Sequence, residues 1–263
     1  MSHRRPDPTT HGPTAAEPVL VDVLTDEELS VVARPGPMPV LPFLDDLLEA
    51  EREVARRSAY RSLVARGVVS PPTVEAIAAA TALRDGSVDL EVREDVASVV
   101  ALREAAQVVV AVARTTATDQ DFWYAHLVDD VVLLEEVSRD GLHRFALAHA
   151  ADLEHLAVGA AVHPDAGDGD GPTLYVDAPH GDPTPPDAVL ERLGAAFVRA
   201  DLVVRRPGDS EPPVLAVLSG PDGCWVVAPG TPTRAEPATA GAARASVAEA
   251  VASVRAEAVV LHG

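Results

Sequence analysis

The chain has 263 residues, 47 % of them hydrophobic but only 3 % aromatic, so it can bury a core, but one built from many small contacts with few ring anchors. Its net charge is −20 and all 21 basic residues are Arg, which disfavours a phosphate-rich partner: duplex nucleic acid and anionic membrane surfaces would both be repelled. The absence of Lys also excludes a Walker loop and Schiff-base chemistry, and a single cysteine, Cys224, excludes an internal disulfide and a Cys-based zinc site.

Residues 1–17 are rich in Pro, Thr and His, lack periodicity and read as a disordered tail. Two arginines stand near the start, but no apolar run follows them, and no stretch approaches about twenty uninterrupted apolar residues. The expectation is therefore a cytoplasmic protein without a membrane span. Residues 18–34 predict a short amphipathic helix, with Thr25 as cap and Glu28 three residues later in capping-box spacing. A long helix is expected over 44–66, closed by Gly67. A second follows, capped by Ser70 with Pro71 at its first position, and ends near Leu83.

Beyond the Asp85-Gly86 turn the period changes. Val88, Leu90 and Val92 alternate with charged residues, as in a strand, whereas 95–107 fits helix or strand equally. Strands at 107–115, 121–128, 131–138 and 142–149 have loops short enough for an antiparallel meander, and Ser138-Arg139-Asp140-Gly141 carries a hairpin-turn signature. A helix over 152–162 closes this half. An acidic, Gly- and Pro-rich connection at 163–187, with a short strand at 174–176, leads to a second, shorter half. That half predicts a helix at 187–199, strands at 201–206, 213–219 and 224–228, and a helix at 243–257. The order of helices, antiparallel strands and helix thus occurs twice. The expectation is one α+β domain over 18–263, divided into halves 18–163 and 188–263, with a central antiparallel sheet.

Candidate chemistry is sparse. His143, His149, His155 and His163 lack the i, i+4 spacing of a helical zinc site, and they read as solvated or turn histidines. Asp165, Asp168 and Asp170 lack the ligand spacing and closing Glu of a calcium loop. The run Gly167-Asp168-Gly169-Asp170-Gly171 opens no helix after a strand, so it is not a dinucleotide fingerprint. Cys224 reads as a buried structural thiol. No catalytic, cofactor or metal residue is assigned. The candidate partner-binding segment is Thr118, Asp119, Gln120, Asp121, Phe122 and Trp123: a polar loop followed by aromatics. Trp123 is either a core ring or an exposed anchor, since on a strand it takes the face opposite Phe122 and Tyr124.

Three segments carry a family resemblance. They are Leu63-Val64-Ala65-Arg66-Gly67-Val68-Val69 followed by Val88-Asp89-Leu90-Glu91-Val92, the meander from Phe122 to Leu147, and Cys224-Trp225-Val226-Val227-Ala228-Pro229-Gly230-Thr231. In these, over about residues 20–258, the chain resembles the EspG family, the ESX (type VII) secretion-associated proteins of actinobacteria. The resemblance implies a quasi-two-fold sheet flanked by two helical bundles. It also implies a cytosolic chaperone that keeps secretion substrates soluble, such as PE–PPE-like pairs or WxG-type proteins, and docks them near a hairpin and the C-terminal helices. The shorter second half and acidic connection depart from the family pattern and leave the client open. The alternative is an acidic protein-binding adaptor or regulator without a secretion role; a third reading is an enzyme whose site gathers distant His and Asp residues.

Overall fold

The computed structural model describes residues 17–33, 40–83, 90–175, 185–194, 196–206 and 208–260. Residues 1–16 of the expected 1–17 tail, the Asp85-Gly86 turn and Val88 of the expected strand lie outside them. The protein is of the α+β class, built on a ten-stranded sheet in which every pairing is antiparallel.

The chain enters through β1 (Val19–Thr25) and α1 (Asp26–Val32). The predicted helix over 18–34 is therefore only half helix. Its capping box is present: Thr25 Oγ1 accepts from Glu28 N–H at 3.2 Å, and Glu28 Oε2 accepts from Thr25 N–H at 3.3 Å. Val19 to Thr25 alternates apolar and polar residues only loosely, and its strand character comes from pairing with a later strand. The predicted 44–66 helix is divided into α2 (Pro42–Asp45) and α3 (Glu49–Ala65), with Gly67 at φ +68° as the expected left-handed stop. Residues 69–70 form β2 (Val69–Ser70), so Ser70 is not the cap of α4 (Val74–Leu83); Thr73 is, its Oγ1 accepting from Ala76 N–H at 3.2 Å. β3 (Glu91–Val92) pairs with β2, and the ambiguous segment after it is α5 (Glu94–Glu104).

The predicted meander is present as β4 (Val108–Thr115), β5 (Gln120–Val128), β6 (Val131–Val137) and β7 (Leu142–His149), followed by α6 (Leu153–Ala161). After β8 (Leu174–Tyr175) come α7 (Pro186–Leu193), β9 (Val198–Arg205), β10 (Val214–Gly220), β11 (Gly223–Val227), β12 (Arg234–Pro237) and α8 (Ala240–Val260). The helix expected to reach residue 199 ends at Leu193. From Val198 onward the apolar residues Val198, Ala200, Leu202 and Val204 alternate, and the strand pairs with both β4 and β10. β12 has no clear signal in the sequence: it is four residues long and ends in Pro237, which pairs with Trp225 of β11 but lies beyond the reach of β8, which pairs only with Arg234 and Ala235.

The sheet order is β1-β7-β6-β5-β4-β9-β10-β11-β12-β8. Read outward from the β4–β9 pair, both sides show the same succession: four strands in meander order, then an edge strand contributed from before the meander. The strand order is thus quasi-two-fold about the β4–β9 pair, and α6 and α8, each following its own meander, pack against each other on one face. There the core joins Trp123, Leu134, Leu202, Val217 and Cys224 to Leu153, Ala157, Ala243 and Val247, so both halves share one core. Alanine on the helix faces allows close approach to the sheet. The opposite face of β6 and β7 carries a second core, where Leu133 and Phe145 meet Leu24, Leu29, Leu63, Val96 and Val99 from β1, α1, α3 and α5.

The described part of the acidic connection is packed, not a loose tether. Gly167 N–H donates to Gly220 O at 2.9 Å, Gly169 N–H to Ala238 O at 2.8 Å, and Asp168 Oδ1 accepts from Ala240 N–H at 2.9 Å, capping α8. A β-carbon on Gly169 would lie 1.9 Å from Cys224 O, and one on Gly167 would lie 2.2 Å from Pro221 O. Glycine there serves close backbone approach.

Candidate functional site

Two features stand out: a buried polar cluster and an open cleft. The cluster arises from strand alternation. Glu135 occupies the phase of β6 shared by Leu133 and Val137, His126 follows Phe122 and Tyr124 along one face of β5, and His143 precedes Phe145 on β7. Glu135, His143 and Asp26 are each 0 % exposed and His126 is 3 % exposed. Glu135 accepts four hydrogen bonds: from Arg103 Nε at 3.0 Å and its terminal nitrogen at 3.2 Å, from His126 Nε2 at 2.9 Å and from His143 Nδ1 at 2.6 Å. Asp26 Oδ1 accepts from His143 Nε2 at 2.7 Å, while its Oδ2 accepts from the N–H groups of Phe43 at 2.8 Å and Leu44 at 3.0 Å.

Burial by itself would raise the Glu135 carboxyl; the hydrogen bonds from His126 and His143 and the charge of Arg103 overcome it and hold the group well below the ordinary carboxylate range. Burial opposes charging of His143, but its bonds to Asp26 and Glu135 raise it above the usual imidazole value. Tyr124, close to Glu135, is pushed up to about 12, chiefly by burial. These groups are enclosed by protein on all sides, so they tie α1, α2 and α5 to the sheet and meet no solvent-borne substrate directly. His143 is therefore not a solvated or turn histidine. His149 and His155 are exposed as expected, and His163 is half-buried with its ring edge against Phe197.

The cleft, about 750 Å³, opens on the α6–α8 face at the far end of the second half. Its floor is Leu202, Val204, Leu215 and Val226; Ser246, Glu249, Ala250 and Ser253 of α8 form one wall, and residues 208–213 form the other. Pro212 and Pro213 fix the backbone φ of that wall, and Asp209 Oδ2 accepts from Arg206 N–H at 2.8 Å. The rim carries Asp209, Glu211 and Glu249 against Arg206. An apolar floor under an acidic rim suits an apolar segment flanked by basic residues.

The predicted partner-binding residues lie elsewhere. Thr118 and Asp119 are exposed in the β4–β5 turn, where Thr116 Oγ1 accepts from Asp119 N–H at 3.0 Å, and Gln120 is exposed at the start of β5. Asp121 is held by a two-pronged ion pair with Arg114, directly across the strand pair, at 2.6 and 3.0 Å. Phe122 is half-buried and stacks on Tyr124 at 6.5 Å. Trp123 is 4 % exposed within the shared core, so of the two readings of its ring, packing is the one it fulfils. The register puts Thr115 beside Arg199 and Val109 beside Arg205. The turn and the cleft are thus at opposite ends of the sheet, about 20 Å of strand apart.

Cys224 is buried, and burial pushes its thiol up. Among the described residues no group of three or more His, Cys, Asp or Glu could hold a metal ion, and no helix is long and apolar enough to cross a membrane. No protein-family model and no curated protein matches the chain.

Proposed function

We propose that this protein is a secretion chaperone of the ESX (type VII) kind, which binds an export substrate and keeps it soluble until transfer. The observation that carries the reading is the open cleft beside α8, apolar in its floor and acidic at its rim, in a sheet whose halves repeat about the β4–β9 pair. A chaperone must cover apolar surface that its client would otherwise expose, and it needs a groove with a polar rim, not a reacting group. The client's docking element is an amphipathic segment with basic flanks, because the rim and the chain's net charge of −20 both attract such a sequence.

Co-expression of the full chain with a PE–PPE-like pair or a WxG-type protein, followed by size-exclusion chromatography, tests this. Co-elution is expected, and it should be lost in Val226→Glu, which places a carboxylate on the half-buried floor, provided that variant keeps its melting temperature. Clients that remain soluble and separate from the chain, or a complex indifferent to Val226→Glu, would overturn it.

A further inference from the structure

Both ring nitrogens of His143 face carboxylate oxygens, Nε2 toward Asp26 at 2.7 Å and Nδ1 toward Glu135 at 2.6 Å. The remaining oxygen of Asp26 takes two backbone N–H groups, and Glu135 takes Arg103 and His126. Arg103 and the two backbone N–H groups can only donate, and a carboxylate that is ionised only accepts. In that arrangement both nitrogens of His143 donate, one to each carboxylate, and the ring is an imidazolium. Two carboxylates are then balanced by Arg103 and His143. The titratable groups that face the ring are Asp26 from α1, Glu135 from β6 and, through Glu135, His126 and Tyr124 from β5 and Arg103 from α5; β1 sets the apolar Leu24 opposite it.

Asp26 is also the joint of the N-terminal region. Its own N–H donates to Gly141 O at 2.8 Å, and its carboxylate holds the start of α2. A β-carbon on Gly141 would lie 2.8 Å from the Asp26 carboxyl carbon, so the hairpin turn closes directly over this joint. We propose that the Asp26–His143–Glu135 chain is a proton-operated latch: the imidazolium clamps the α1–α2 region to the sheet, and loss of its proton as pH rises releases that region locally while the α6–α8 face stays packed.

Without the proton, one ring nitrogen presents a lone pair to a carboxylate less than 3 Å away, and that contact must open. The weaker side is Asp26, because Glu135 keeps Arg103 and His126. The opening stays local because α1 and α2 sit on one sheet face and α6 and α8 on the other, with separate cores. The raised value of His143 fixes the direction: the clamp is fully present below the ordinary imidazole pKa, about 6.5, and fades as pH climbs through the folded-state value.

The test uses the full chain. Ring ¹⁵N shifts should show both His143 nitrogens protonated at pH 7. Hydrogen exchange, corrected for the intrinsic base-catalysed rate, should show protection at Asp26, Phe43 and Leu44 falling about tenfold per pH unit above the transition, as release of one proton requires. Amides of Ala243 and Val247 should keep theirs. Asp26→Asn decides the mechanism. Its amide N–H₂ can donate to a neutral His143 while its oxygen still accepts from Phe43 and Leu44, so protection should become independent of pH. A neutral His143 ring at pH 7, equal loss of protection on both faces, or an Asp26→Asn variant that keeps the wild-type slope would overturn the latch. Should that variant not fold, the ¹⁵N measurement on the unaltered chain still decides.

Discussion

Replacing Trp123 with alanine removes the largest ring from the shared core. The side chain is 4 % exposed and lies among Val110, Val112, Leu134, Leu153 and Ala157. Large-to-alanine changes of buried aromatics cost about 3–5 kcal/mol, and the value depends on how far the neighbours collapse into the space. Collapse is poor here. Ala157, Ala160, Ala161 and Ala243 cannot reach inward by changing rotamer, and the β-branched Val residues are stiff. The upper half of that range is therefore expected, about 4–5 kcal/mol, or a fall in Tm of about 8–20 °C for a chain of this size. Urea unfolding read by circular dichroism measures it, provided that the m-value stays constant. A loss below about 1 kcal/mol would show that the ring is not packed as described. A stable variant with weakened client binding would return Trp123 to the docking surface.

Arg103→Ala leaves Glu135 buried without its guanidinium and should cost about 3–5 kcal/mol in chemical denaturation. Because Glu135 is depressed in the fold, its contribution is present above the ordinary carboxylate pKa and is lost as pH falls toward the folded value; acid unfolding of Arg103→Ala should therefore begin at a higher pH than in the unaltered chain. Gly169→Ala drives a β-carbon against Cys224 O, should destabilise by about 1–3 kcal/mol, and should open the 163–175 segment to limited proteolysis. Cys224 should resist thiol reagents in the native chain and react at once in denaturant, as followed by mass; prompt native labelling would contradict its burial.

The meander was legible because β4 to β7 are regular, alternating and joined by short turns, and because Ser138 to Gly141 signals its own hairpin. The second half was legible in order but not in extent: β12 is four residues long and ends in Pro237, and β1 has strand geometry mainly because β7 offers it an edge. The buried cluster is hidden for a definite reason. The helical spacing test applied to His143, His149, His155 and His163 has the wrong period for a strand such as β7, and His126 on β5 stands outside that group. Counting by two from Leu133 places Glu135 inward, and the same count from Phe145 and Tyr124 places His143 and His126 there too. The pairing of Asp26 with His143, 117 residues apart, carries no local signal. Neither does the cleft, whose floor gathers residues from three strands and whose walls are a loop and a helix.

The central claim is that a secretion substrate docks in the cleft beside α8, and site-specific photocrosslinking in the native host tests it most directly. Crosslinkers at Ser246 and Ser253 would line the cleft, and one at the exposed Ser98 on α5 would serve as control. The two cleft positions should capture a protein identified by mass spectrometry as an exported ESX substrate, and Ser98 should not. Equal capture of that substrate from all three positions, or its absence from the cleft adducts while the substrate is being exported, would contradict it.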